Sequence, residues 1–129
     1  MILLDTHVLV WMVADSKRLS KSALGAIRAA QREGGLGISA ISLWELAWLV
    51  GRGRIQAYGT VEASVRLLIE GVIVRPITPE IAALAAQFPE DYPRDPADRL
   101  IGATARFEGV RLITCDTGIL KSPLVRTVW

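Results

Sequence analysis

Five acidic residues have the type and spacing to gather as oxygen ligands: Asp5, Glu45, Asp95, Asp98 and Asp116. Asp5 directly follows the apolar run MILL, and Asp116 follows a second one, RLIT, in the stretch LITCDTG. Glu45 lies in ISLWELAWLV, where the residues three and four positions away on a helix are Ile41, Ser42, Trp48 and Leu49. An unpaired carboxylate on so apolar a face costs on the order of several kcal/mol. Asp95 and Asp98 share the stretch RDPADRLIGATA. Carboxylates brought within a few ångströms of one another cannot all stay ionised without a cation. An all-oxygen set suits Mg²⁺ or Mn²⁺, with water and a substrate phosphate in the remaining positions.

Each acid also has an ordinary structural use. Asp5 can cap a helix starting near Thr6, and Asp95 can cap one whose first residue is Pro96. Asp98 then falls in that helix's first turn, where the helix dipole favours an anion while leaving it free to bind a cation. Asp116 can form an Asx-turn before Gly118. What singles the set out is that all of them fall at one edge of the sheet that the remaining sequence predicts.

The apolar runs Met1–Leu4, Leu36–Ser39, Val72–Ile77, Arg111–Thr114 and Leu124–Val128 read as five short strands. Helices are expected between them. Val8–Ala14 is a short one. A better one begins at Ser20, sets Ala23, Ile27 and Ala30 on one face and stops at Gly34–Gly35. Ile41–Val50 is apolar and ends at the Gly51–Arg52–Gly53 break, and Thr60–Glu70 is amphipathic. Thr78–Pro79–Glu80 opens a further helix, and after the proline-rich turn Pro89–Pro96 the last runs from about Ala97 to Glu108. This alternation marks an α/β domain with a mostly parallel sheet, one domain over residues 1–129. In such sheets ligands sit beyond the carboxyl ends of the strands, near the point where strand order reverses.

Composition bounds the rest. The 129 residues are 51% hydrophobic and 22% charged, far too apolar for a disordered chain. One cysteine, Cys115, cannot make an internal disulfide, and it reads as buried strand-end packing in a reducing cytoplasm. The apolar runs are interrupted by Asp5 and Glu45 short of a membrane span, and no secretory signal is visible, so a cytoplasmic location is expected. Formal charge is +2, yet setting aside Asp5, Glu45, Asp98 and Asp116 leaves fifteen basic residues against nine acidic ones. That balance favours a polyanion partner.

The ordered set MILLDTHVLVW, ISLWELAWL, DPADRLIGATA and LITCDTGIL resembles the PIN-domain family, specifically the small VapC-type toxin ribonucleases of toxin–antitoxin modules, over essentially the whole chain. The resemblance implies a PIN-like α/β fold and a metal-dependent endoribonuclease. It implies catalytic acids at Asp5, Glu45, Asp98 and Asp116, with Asp5, Asp98 and Asp116 holding Mg²⁺ or Mn²⁺. It further implies hydroxyls at Thr6, Ser42 and Thr114 that orient the acids, an accessory Asp95, and an Arg99 that contacts phosphate or forms an ion pair. RNA as substrate, a cognate antitoxin as inhibitor and a homodimeric assembly follow from it as well.

Trp11 and Trp48 are expected at a partner interface, Trp44 and Trp48 sharing a helical face. Arg52 and Arg54 flank Gly53 in what reads as a solvated loop, and His7 reads as a packing or capping residue. The competing functions are a non-catalytic binding module of the same fold and a nuclease with a processing role. A phosphoacceptor receiver domain is rejected, because its third strand would end in Asp, and here that run ends in Arg75–Pro76–Ile77.

Overall fold

The computed structural model describes all 129 residues. Five strands, β1 (Ile2–Leu4), β2 (Leu36–Ser39), β3 (Ile73–Arg75), β4 (Leu112–Ile113) and β5 (Thr127–Val128), form one sheet in the order β3-β2-β1-β4-β5. All four ladders are parallel, so the sheet is wholly rather than mostly parallel. The helices are α1 (Thr6–Ala14), α2 (Lys21–Arg32), α3 (Ile41–Gly51), α4 (Val61–Leu68), α5 (Pro79–Gln87), α6 (Pro96–Glu108) and the single turn α7 (Thr117–Leu120). None is long and apolar enough to cross a membrane.

The strands split their side chains between two cores with the period of two that a pleated strand imposes. Ile2, Leu4 and Ile113 join the α1–α4 layer, where Ala23, Ile27, Ala30, Leu46 and Val50 are buried. Leu3 and Leu112 point the other way, into a core with Ile81 and Ala85 of α5, Ile101 of α6 and Ile119 of α7. Apolar residues on both faces are what a sheet sandwiched by helices requires.

Most sequence expectations hold with trimmed ends. β3 is shorter than Val72–Ile77, because Pro76 has no N–H for the ladder and the strand lies at the sheet edge. α1 begins two residues earlier than Val8, because Asp5 caps it, accepting from Thr6 N at 2.8 Å. Ser20, Thr60, Thr78, Asp95 and Asp116 cap α2, α4, α5, α6 and α7 in the same way. α7 is not anticipated by periodicity, being too short to show any.

Candidate active site

Strand order runs outward from β1 in both directions, so the reversal lies between β1 and β4. Both strands end there in acids: Asp5 one residue beyond β1, and Asp116 three residues beyond β4. α3 adds Glu45 from its second turn and α6 adds Asp98 from its first, and Asp95 stands at the α6 cap. These five carboxylates line one cleft of about 280 Å³, whose walls are completed by His7, Trp11 and Cys115. The larger apolar pocket of about 440 Å³ between α3 and α4 holds no such set.

The carboxylates are held individually. Asp5 Oδ1 accepts from Thr6 N at 2.8 Å and Oδ2 from Thr114 Oγ1 at 2.8 Å. Thr114 Oγ1 in turn accepts from Asp116 N at 3.1 Å, so one hydroxyl links two of the acids. Glu45 Oε1 accepts from Thr6 Oγ1, which is bonded to Ser42 Oγ at 2.8 Å. Thr6, Ser42 and Thr114 are fully buried, so these hydroxyls have no competing water. Ser42 reaches Glu45 only through Thr6. Asp116 Oδ1 caps α7 through Ile119 N at 3.0 Å, and Asp95 Oδ1 caps α6 through Ala97 N at 2.8 Å.

The electrostatics show the crowding. Burial raises Asp5, with Asp116 adding to the rise, and burial also raises Glu45, with Asp5 and Asp95 behind it. Asp98 is pushed up to about 7, by burial first and then by Asp5, Asp95, Asp116 and Glu45. A group surrounded by four like charges is one that a cation would stabilise in its ionised form. As donors, five carboxylates suit a hard divalent ion. As they stand, no three of them are disposed to hold one ion together.

Arg99, Cys115 and Arg52 depart from expectation. The Arg99 guanidinium is spent on the backbone: it donates to the carbonyls of Ala85, Phe88, Pro89 and Tyr92 at 3.2, 2.7, 3.1 and 3.5 Å. A fork with five donors satisfies a loop of bare carbonyls better than any other side chain, and it forms no ion pair. Cys115 is half-buried in the cleft wall rather than core packing. Trp11 is half-buried, tilted against Trp129 at 6.0 Å and His7 at 6.1 Å, whereas Trp48 is 49% exposed. Arg52 is not merely solvated: its guanidinium lies 4.0 Å from the Trp48 ring centroid.

Sequence reasoning missed Tyr92. Its buried hydroxyl donates to the Asp98 carbonyl at 3.1 Å, and it lies against Gly102, where a Cβ would overlap it. The contact couples the proline-rich turn to the first turn of α6, and no local pattern announces it.

The PIN domain family model matches residues 2–122 of the chain. Ribonuclease VapC22 of Mycobacterium tuberculosis is 44% identical over 130 residues, covering 99% of this chain and 98% of that protein. Among solved structures, VapBC2 from Rickettsia felis, bound to a DNA fragment from its promoter, matches with a TM-score of 0.74 at 16% identity, covering 98% of this chain and 97% of that one. A toxin–antitoxin complex from Klebsiella pneumoniae gives 0.68 at 22% identity, covering 97% and 95%. VapC20 of Mycobacterium tuberculosis, a sarcin–ricin-loop-cleaving toxin, gives 0.63 at 18%, covering 98% and 99%.

Proposed function

Because the chain belongs to the PIN-domain family, we propose that it is the toxin ribonuclease of a toxin–antitoxin pair, a metal-dependent endonuclease that hydrolyses RNA phosphodiester bonds. Asp5, Glu45, Asp98 and Asp116 are its catalytic acids. The observation that carries this reading is the convergence of these acids at the β1–β4 reversal, where burial and then the neighbouring carboxylates push Asp98 up to about 7. The near full-length likeness to Ribonuclease VapC22 supports RNA as the substrate.

Asp5, Asp98 and Asp116 would hold the ion, Mg²⁺ or Mn²⁺. A divalent ion held there supplies positive charge to the phosphate oxygens and makes the attacking water more acidic. The protein's own groups do the rest. The Thr6 N–H and the Thr114 hydroxyl fix both oxygens of Asp5, so its orientation is set before substrate arrives. Thr6 engages Glu45 Oε1, leaving Oε2 to take a proton from the attacking water. The raised affinity of Glu45 for protons suits it to that task. In the hydrolysis the water oxygen bonds to phosphorus, one bridging P–O bond breaks, and the leaving oxygen takes a proton from solvent, to which Glu45 returns the one it removed. Tyr92 and Arg99 touch no substrate. They hold the turn before α6, and so keep Asp95 and Asp98 facing the cleft.

The partners in this reading are a cognate antitoxin protein and a second copy of the chain in a homodimer, acting in the cytoplasm. Purified wild type and Asp98→Asn are compared on a structured RNA pool with Mg²⁺, Mn²⁺ and EDTA. Metal-dependent cleavage that vanishes in the variant is the expected result. Equal cleavage by both proteins, or none by wild type together with no calorimetric ion binding, overturns the assignment.

A further inference from the structure

We propose that Trp44, Trp48 and Arg52 form a stacking platform on which single-stranded RNA lies as it enters the acid cleft, a role that rests on the ribonuclease reading above. Trp44 and Trp48 are 60% and 49% exposed, and their rings stack with centroids 5.6 Å apart and planes 30° apart. The Arg52 guanidinium covers the Trp48 ring at 4.0 Å from its centroid. Trp48, Leu49, Arg52 and Arg54 enclose a shallow pocket of about 300 Å³. Every nucleobase has a π-face, so a ladder of indole and guanidinium accepts unpaired bases with little regard to sequence.

Charge decides between RNA and a protein helix as the occupant. The molecule's two side-chain ion pairs are Arg66–Glu62 and Arg75–Glu108. Arg52 and Arg54 therefore keep their charge unspent beside the aromatic rings, as a phosphate backbone requires. An apolar helix would find a better seat in the neighbouring pocket of Leu43, Ala47, Val61, Val65 and Ile69, which neither tryptophan lines.

Position ties the platform to the chemistry. Glu45 and Trp48, three residues apart, share one face of α3, and Arg52, seven residues from Glu45, is that helix's C-cap. With a rise of about 1.5 Å per residue, Arg52 lies roughly 10 Å along the axis from Glu45, about the length of three stacked nucleotides. The same pairing recurs in the cleft wall, where Arg18 lies 4.6 Å from the centroid of Trp11.

The test measures binding of a short fluorescein-labelled oligoadenylate to the full chain in EDTA, beside an abasic strand with the same backbone. Trp44→Ala and Trp48→Ala are each expected to weaken oligoadenylate binding by about fivefold or more while leaving the abasic strand unchanged. Trp48→Phe should restore most of the loss, and Arg52→Gln should weaken both strands. With metal present, the tryptophan variants should raise KM and leave kcat near wild type. Oligoadenylate bound equally by wild type and the tryptophan variants overturns the platform, as does an abasic strand bound as tightly as oligoadenylate. Conversion of a dimer to a monomer by Trp44→Ala, with RNA binding intact, overturns it in favour of a contact between copies. Wild-type cleavage that persists unaltered in the tryptophan variants sinks the platform alone, because the Asp98→Asn comparison tests the nuclease separately.

Discussion

Thr114 Oγ1 donates to Asp5 Oδ2 at 2.8 Å, joining residues 109 positions apart across the ends of neighbouring strands. The same hydroxyl accepts from Asp116 N. Thr114→Val keeps the shape and removes both bonds, so two acids lose their orientation together. Divalent-ion affinity measured by Mn²⁺ calorimetry should fall by about tenfold to a hundredfold, and cleavage with it. Thr114→Ser should keep most of both. Wild-type affinity in Thr114→Val would show that the hydroxyl orients nothing of consequence.

Asp98 gives an unusual pH dependence. Its folded-state value of about 7 lies above the ordinary value of 3.8, so between these values the folded protein holds a proton that the unfolded chain has lost. Stability of the ion-free protein therefore falls as pH rises across that window and levels off above about 7. Asp5 and Glu45, also raised, act in the same direction. Melting curves in EDTA should show a Tm that declines from about pH 4 to about pH 7, and Mn²⁺ should recover the loss. Asp98→Asn should flatten the decline and, above pH 7, melt higher than wild type while cleaving nothing. A wild-type Tm that climbs through the window is incompatible with these acids repelling one another.

Arg99→Lys tests the carbonyl clamp. A lysine ammonium cannot reach the carbonyls of Ala85, Phe88, Pro89 and Tyr92 from one position, so the loop before α6 loses most of its donors. Loss of about 2–3 kcal/mol in urea unfolding is expected. If lysine proves as stable as arginine, the positive charge matters and the fork does not.

Two glycine substitutions in helices should have opposite signs. Gly25 of α2 has open space where a Cβ would stand, so Gly25→Ala should stabilise by about 1 kcal/mol through helix propensity. In Gly102→Ala the added methyl would overlap the Tyr92 hydroxyl and stand 3.3 Å from Phe88 Cε2. That overlap outweighs propensity and should destabilise by about 1–3 kcal/mol. Denaturant midpoints for the pair decide the matter, and a stabilised Gly102→Ala would mean that Tyr92 yields easily.

Features carried by periodicity and caps are legible in the sequence. The stripe Ala23, Ile27 and Ala30 is buried, Thr78 caps α5 ahead of Pro79, and the five runs pair as one sheet. Asp5 and Asp116 are legible because strand ends are, and Glu45 because its helical neighbours are apolar. Arg99 is not, because its partners are carbonyls, which every residue has and no sequence distinguishes. The same holds for Arg52, whose partner is the face of a ring one helical turn away. Tyr92 was hidden for a third reason: its place depends on the missing side chain of Gly102, on another element.

The strand order has a bearing on when the cleft comes into being. β1 is the central strand and precedes the other four in the chain, but its neighbour β4 and the hydroxyl that aims Asp5 are translated more than a hundred residues later. Until then a nascent chain carries a disarmed cleft. Asp5 gains its aim and Asp116 joins the other acids only after Thr114 and Asp116 have emerged, so the complete constellation is among the last features of this domain to form.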